Sequence, residues 1–365
     1  MSKVYFTDMR TSFTENLPKK LTRLIDRAGL GTIDFDHKFV AIKIHFGEMG
    51  NLAYLRPQYA RALAAYIKER GGLPFLTDCN TLYVGSRKNA LEHIETAYIN
   101  GYTPYATGCQ VIIADGVRGT DEAYIPIGCE EVKTAKIGRA IADADIIISL
   151  SHFKGHEDAG FGGALKNLGM GSGSRAGKME MHYDGKPVVD RDRCRGCRKC
   201  ATICANDGIH YESSKAVIDY DNCVGCGRCI AICSFDAIKP HNSSSAASLN
   251  RRIAEYAYAV VKDKPNFHIS IAADISPNCD CHPENDAPIV PNIGMFASFD
   301  PVAIDLAAAD AVNAMPANPR SALSEAECRC HDHFINVHPN TNWRVQIEHG
   351  EEIGLGSSEY ELIRI

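Results

Sequence analysis

A chain of 365 residues, 45% hydrophobic and 23% charged, has the make-up of a folded globular protein with room for more than one domain. Its formal net charge of −6 excludes a generally basic surface of the kind that holds nucleic acid or an anionic membrane. The opening MSKVYFTDMR has no apolar signal segment and no apolar run reaches spanning length, so the expected setting is cytoplasmic and reducing, where clustered cysteines (15 in all) serve as metal ligands rather than disulfides.

Short apolar runs then alternate with helix-like stretches. Residues 4–6 read as a first strand. Residues 17–30 read as a helix, with Leu21, Leu24, Ile25 and Leu30 at roughly helical spacing. FVAIKIHF, residues 39–46, reads as a strand. Pro57 suits the first turn of a helix, where a missing N–H costs little, and Gly71-Gly72 closes that helix. A strand at 73–77, a helix at 87–99 and a strand at 111–114 follow. Residues 136–142 look helical, and IIISL at 146–150 reads as a fully buried strand. SSSAAS at 243–248 is a polar linker or a helix start, 250–262 a helix and 267–273 a strand. A Pro-rich passage from 277 to 291 precedes an alanine-rich helix that starts at Asp300-Pro301 and ends near 313. This alternation predicts an α/β fold, a mostly parallel sheet with helices on both faces. Residues 187–240 interrupt it as a small ferredoxin-like α+β insert. Residues 1–186 and 241–365 are then two parts of one α/β domain, since few-stranded remnants rarely fold alone.

The insert is read from its cysteines. Cys194, Cys197, Cys200 and Cys204 are spaced x-x, x-x, x-x-x, and Cys223, Cys226, Cys229 and Cys233 repeat the spacing. In two-cluster bacterial ferredoxins the fourth Cys of each run ligates the other cluster. That pairs Cys194, Cys197, Cys200 and Cys233 on one [4Fe–4S] cluster, and Cys223, Cys226, Cys229 and Cys204 on the second. Ala205 and Ser234 stand where such runs carry Pro, which removes a brace but no ligand. Zinc knuckles favour two separated pairs of ligands, so the spacing fits a cube better than a tetrahedron.

Other polar groups gather at predicted strand ends, where open α/β sheets bind ligands. Lys43 and His45 share a strand face, with Glu48 just beyond. Thr77-Asp78-Cys79-Asn80 ends the next strand. His152, Lys154, His156, Lys166 and Asn167 follow the buried IIISL strand within a glycine-rich run whose backbone amides can approach a ligand closely, the alternative being a flexible glycine loop with solvated cations. The run fails the P-loop pattern at Ser172 and Met179, and its match to a dinucleotide fingerprint at 171–176 does not follow a strand. Cys279-x-Cys281-His282, echoed by Cys328-x-Cys330-His331, offers a possible third metal site, with Cys279 and Cys281 the better pair. Cys109 and Cys129 read as core residues.

Together these residues resemble the uncharacterised Fe–S centre protein family, which carries the domain of unknown function 362 with an inserted two-cluster ferredoxin domain. The marks are Lys43-x-His45, Thr77-Asp78-x-Asn80-Thr81-x-Tyr83, Asp115-Gly116, and Lys154-Gly-His156 through Lys166-Asn167. The tandem cysteine runs, Asn278-Cys279-Asp-Cys281, Ser298-Phe-Asp300-Pro301 through Asp305, and the Gly354–Gly356 segment complete them. The resemblance covers nearly the whole chain and implies the fold and the clusters, but no reaction. The His-rich approach and the Gly162-Gly163-x-x-Lys166 run are also similar to a loop of the lactate racemase type, whose Lys and His hold a nickel-pincer cofactor.

The leading functional expectation is an iron–sulfur oxidoreductase. The clusters relay electrons to a site built by Lys43, His45, Asp78, His152, Lys154, His156 and Lys166, with Lys154 and Lys166 binding an anionic group and a His supplying protons. A bare carrier needs only the insert, not some three hundred further residues with a polar crevice. The alternatives are a non-enzymatic electron-transfer protein, a metal-handling or cluster-assembly protein using Cys279, Cys281, Cys328 and Cys330, and a purely structural use of the clusters. The partner is a redox protein or a small-molecule substrate, with no nucleic acid and no membrane. Arg193, Arg195, Arg198 and Lys199 crowd the first cysteine run, either to steer an acidic redox partner or as a solvated rim.

Overall fold

The computed structural model describes residues 1–365 except 84, 184–185, 224 and 241–244. Its centre is an eight-stranded sheet of β1 (Ser2–Asp8), β2 (Phe39–Lys43), β3 (Leu73–Asp78), β4 (Gln110–Ile113), β5 (Ile146–His152), β6 (Asn266–Ala272), β7 (Gly294–Ser298) and β8 (Tyr360–Arg364). The strand order is β8-β1-β7-β6-β5-β2-β3-β4. All neighbours pair parallel except those of β7, which runs against both β1 and β6. The fold is therefore α/β with a mostly parallel sheet.

Period-two alternation sends successive side chains to opposite faces. Val40, Ile42, Ile146, Ile148 and Leu150 pack on one side with α1 (Leu17–Arg27), α2 (Pro57–Lys68) and α3 (Ala90–Ile99). Ala41 and Ile147 face the other side and meet α4 (Ala164–Ser172), α6 (Ala246–Val261), α7 (Pro301–Asn313) and α8 (Arg344–Glu352), with α5 (Arg175–Tyr183) beside α6. Covered on both faces and paired on both edges, β5 is buried along its whole length. Local chemistry sets the helix starts. Asn16 caps α1 by accepting from Lys19 N–H, Pro57 begins α2, and Asp300 caps α7 by accepting from the N–H groups of Val302 and Ala303.

Two expectations change, and two features are added. Residues 134–138 form a strand paired with Glu122–Pro126, and only Arg139–Asp143 is helical. Ala135 and Ile137 are buried, so the local period is two rather than 3.6. The glycine-rich run is not a loop, since Ala164–Ser172 is helical. A Cβ at Gly169 would lie 2.2 Å from the Ile253 carbonyl oxygen, and one at Gly171 would lie 2.4 Å from Lys43 Nζ. These glycines admit a neighbouring helix and a buried ammonium. Helix α6 begins at Ala246, capped by Ser245 accepting from Ser248 N–H, so residues 243–248 contain the helix start that was the alternative to a linker; residues 243–244 lie outside the described residues. Strands β7 and β8 were not anticipated, because each gains its strand character from pairing with β1.

Residues 187–240 leave the sheet. They carry the hairpin Ile209–Glu212 with Lys215–Ile218, the pair Pro187–Val189 with Ile238–Pro240, and short helices at Lys199–Thr202 and Arg228–Ile232. The core of this unit contains Cys194, Cys200, Cys229 and Ile230, and it also takes in Leu82 and Met179 from the main body. Lys88 joins the two parts by donating to Asp236 at 2.6 Å and to the Cys233 carbonyl at 3.3 Å. Among the described residues, no helix is long and apolar enough to cross a membrane.

Candidate functional site

From β2 the chain winds outward through β3 to β4, whereas from β5 it winds the other way to β6. The order therefore reverses between β2 and β5, and ligand crevices in open sheets lie beyond the strand ends at such a point. A cavity of about 800 Å³, mouth included, opens there. Lys43, His45, Asp78, His152, Lys154, His156 and Lys166 all line it, as do Cys279 and Cys281.

One wall is an ion network on β2 and β3. The Lys43 Nζ lies 2.9 Å from Asp78 Oδ1 and donates to Asn167 Oδ1 at 2.8 Å. Asn167 in turn donates to the Lys43 carbonyl and to Ser151 Oγ, tying α4 to the ends of β2 and β5. Burial lowers the pKa of Lys43, opposed by Asp78. Burial alone would raise Asp78, but Lys43 holds its carboxyl well below the usual range. Arg87, fully buried, donates to Glu48 at 3.0 Å and places Nη1 3.0 Å from His45 Nε2. Burial and the Arg87 charge push His45 down to about 3, so it is neutral at physiological pH. Arg87 Nη2 is buried with no hydrogen-bond partner among the described residues.

The opposite wall is a turn over residues 279–282, closed by His282 N–H donating to the Cys279 carbonyl at 3.0 Å. Asp280 fixes it. Its carbonyl accepts from Glu48 N–H at 2.9 Å, and its buried carboxylate lies 2.9 Å from His152 Nδ1 and 3.5 Å from Lys154 Nζ. The other ring nitrogen of His152 faces the Ala273 carbonyl at 2.8 Å. Both nitrogens are thus engaged with oxygen acceptors, so His152 positions the turn and has no free nitrogen for substrate.

The turn presents two sulfurs to the cavity. Lys166 Nζ lies 3.6 Å from Cys279 Sγ. His156 Nδ1 accepts from the N–H groups of Asp158 and Ala159 at 3.1 Å, which assigns the proton to Nε2, and the ring hydrogen-bonds Cys279. A hydrogen bond from Cys281, followed by Lys166, brings the Cys279 thiol well below its ordinary pKa despite burial. The same hydrogen bond pushes Cys281 up. Burial would lower Lys166, but Cys279 raises it. At the rim, Glu157 meets His282 at 2.8 Å, and that bond raises His282 to about 9. Ligand atoms of Glu157, Cys281 and His282 lie within 4.8 Å of one another.

The eight cysteines of the insert fall into two groups. Cys194, Cys197, Cys200 and Cys233 line one small cavity, and Cys204, Cys223, Cys226 and Cys229 line another. Backbone N–H groups point at the sulfurs, from Ala216 to Cys194, Gly208 to Cys204 and Ala237 to Cys233, at 3.2–3.4 Å. The Tyr211 hydroxyl lies 3.2 Å from Cys200 Sγ. Each quartet with its inward amides fits a cubane. Cys197 is exposed, as are Arg193, Arg195, Arg198 and Lys199.

The second Cys-x-Cys pair does not join the first. Cys328 and Cys330 are exposed in a loop fastened by Asn336, and neither lines the central cavity. Cys109 is buried in the core, whereas Cys129 is only half-buried. Asp280, Arg87 and Glu157 hold site residues in place without having been assigned from the sequence, and Glu48, placed just beyond the β2 end, is held by Arg87. The one local signal was for Asp280, held between two cysteines.

Comparison with known proteins adds a family. No curated protein matches the chain. A solved lactate racemase apoprotein from Thermoanaerobacterium thermosaccharolyticum is similar at 10% identity and TM-score 0.37, covering 75% of this chain and 51% of that one. A crystal structure of a protein from Thermotoga maritima is similar at 12% identity and TM-score 0.39, covering 80% and 56%. The chain thus spans about half the length of these structures. The model of the domain of unknown function DUF362 matches residues 40–310, and the chain belongs to that family.

Proposed function

We propose that this protein is an iron–sulfur oxidoreductase whose cavity, between β2 and β5, reduces a small anionic substrate. The observation that carries the reading is the joint between the two cysteine quartets and the cavity. Leu82 lines the cavity and packs in the same core as Cys194, Cys200 and Cys229. Met179 of α5 packs there too, while Lys178 and His182 of the same helix line the cavity. Two [4Fe–4S] clusters, held by Cys194, Cys197, Cys200 and Cys233 and by Cys204, Cys223, Cys226 and Cys229, would supply one-electron transfer. The cations of the pocket attract the substrate. Lys154 is committed to Asp280 and Lys43 to Asp78, whereas Lys178 donates to backbone carbonyls of Gly171 and Gly173. Arg87 Nη2 and Lys166, whose ammonium meets only Cys279 Sγ among the described residues, are therefore the donors with most left to give an anion, and His156 Nε2 is the proton donor. The exposed basic rim at Arg195, Arg198 and Lys199 suits an acidic electron-donating partner.

The test starts from protein reduced without oxygen. Its 400 nm absorbance is followed as small anionic oxidants are added. Lys166→Met with His156→Gln is expected to cut reoxidation by the productive oxidant at least about tenfold, the loss of about 1.4 kcal/mol of transition-state stabilisation, with the iron content unchanged. Unchanged reoxidation in that variant would identify a carrier with no site of its own.

A further inference from the structure

The notable feature inside the cavity is a pair of sulfurs rather than a single thiol. Cys279 and Cys281 sit at the first and third positions of one tight turn, and both line the cavity. The turn cannot drift, because Asp280 between them is held by His152, Lys154 and the Glu48 amide. An ammonium, Lys166, stands 3.6 Å from the Cys279 sulfur. A fixed cation there favours a sulfur anion and opposes a metal cation at the same atom. His156 adds a second donor to that sulfur. Neither sulfur is spent on the insert, and both face the cavity where the proposed reduction takes place.

We propose that Cys279 and Cys281 are a redox-active dithiol that reduces a disulfide entering the cavity and closes to a Cys279–Cys281 disulfide in doing so. This deepens, and rests on, the redox reading of the pocket. The Cys279 thiolate attacks one sulfur of the incoming disulfide, whose S–S bond breaks and releases a thiolate. Cys281 then attacks the Cys279 sulfur of the mixed disulfide. Its proton goes to one departing thiolate, and the second half of the substrate leaves. Each cysteine gives up one electron, and the substrate gains two as one thiol and one thiolate. An external thiol reopens the pair by the reverse exchange. Lys166 stabilises the reduced pair, which makes the dithiol a milder reductant than it would be alone.

The tryptic peptide of residues 263–320 contains no cysteine other than these two. Full-length protein, purified without oxygen, is equilibrated in buffers of reduced and oxidised dithiothreitol. Free thiols are blocked with N-ethylmaleimide, and the peptide is weighed. The expected result is two species alone, doubly labelled or unlabelled and two hydrogens lighter, interconverting in one two-electron transition. Lys166→Met is expected to shift that equilibrium about tenfold toward the disulfide, which is ~30 mV for a two-electron couple. A peptide doubly labelled at every setting overturns the proposal, as does a metal that copurifies with the protein and is lost in Cys281→Ser. Iron content and EPR of the same samples report the clusters separately. Protein without clusters that still switches leaves the dithiol standing and removes the relay. Protein with both clusters that never switches removes the dithiol alone.

Discussion

Asp280 is fully buried between two cysteines, and Lys154 depends on its charge. Replacing it with Ala strands a buried ammonium and frees the turn. Asp280→Ala is expected to cost about 3–5 kcal/mol in chemical denaturation, the usual penalty for breaking a buried pair from one side. Asp280→Asn, which keeps the volume and one acceptor, is expected to cost less. Equal stability of the Ala variant and the parent would contradict the clamp. At this scale the sequence pointed to Lys43, His45, Asp78, His156, Lys166, Cys279 and Cys281, because polar residues at strand ends have few other reasons to cluster. It placed Glu48 at a strand end but could not reveal Arg87, whose contact with Glu48 joins distant segments. Nor could it reveal that His152 spends both nitrogens on structure.

Helix α4 carries Lys166 and Asn167, and its first turn is capped from outside. Asp305 of α7 accepts from the N–H groups of Ala164 and Leu165 at 2.6 and 2.8 Å. Asp300 caps its own helix, so the two acids of the Asp300–Asp305 segment serve two different helix starts. Asp305→Ala is expected to lower stability by about 1–2 kcal/mol, the cost of a lost cap. The same change is expected to weaken Lys166-dependent chemistry while leaving iron content intact. A variant as stable as the parent would show that the cap is dispensable. The alternation of strands and helices was legible because β2 and β5 carry continuous apolar runs, β6 alternates polar and apolar residues, and α1, α2 and α7 have clear starts. The glycine-rich helix was not, since Gly169 and Gly171 answer to Ile253 and Lys43 and carry no helical signal themselves. Likewise β7 and β8 owe their strand form to β1.

For the whole molecule, buried titrating groups set the response to acid. Burial pushes His45, His182 and His268 down to about 3 each. Below pH 6.5 the unfolded chain takes up protons at these sites and the folded one does not, so each contribution to stability falls as pH falls. Asp115 and Asp305, raised by burial to about 6 and about 7, act in the opposite sense, since the folded state gains their protons first. His93, which burial also holds well below its ordinary range, makes four histidines against two aspartates, which leaves about two net protons between pH 6 and 4. Stability is expected to fall by about 2–3 kcal/mol per pH unit over that range, and a rise in the denaturation midpoint there would contradict the assignment.

At the surface, the basic rim by Cys197 is expected to govern encounter with a donor. Arg195→Glu with Arg198→Glu should slow reduction by an acidic flavodoxin-type protein about tenfold at low salt, with the difference fading as salt rises. Equal rates at low salt would make the rim a solvated surface only.

The central claim is that the two cysteine quartets hold clusters that serve the cavity. The most direct measurement is iron and sulfide analysis with EPR on protein purified without oxygen, for the parent and for Cys200→Ser and Cys229→Ser. About eight irons and two reducible cubane signals, with a different signal lost in each variant, are the predicted result. Zinc in place of iron, or no iron after anaerobic reconstitution, would contradict the account.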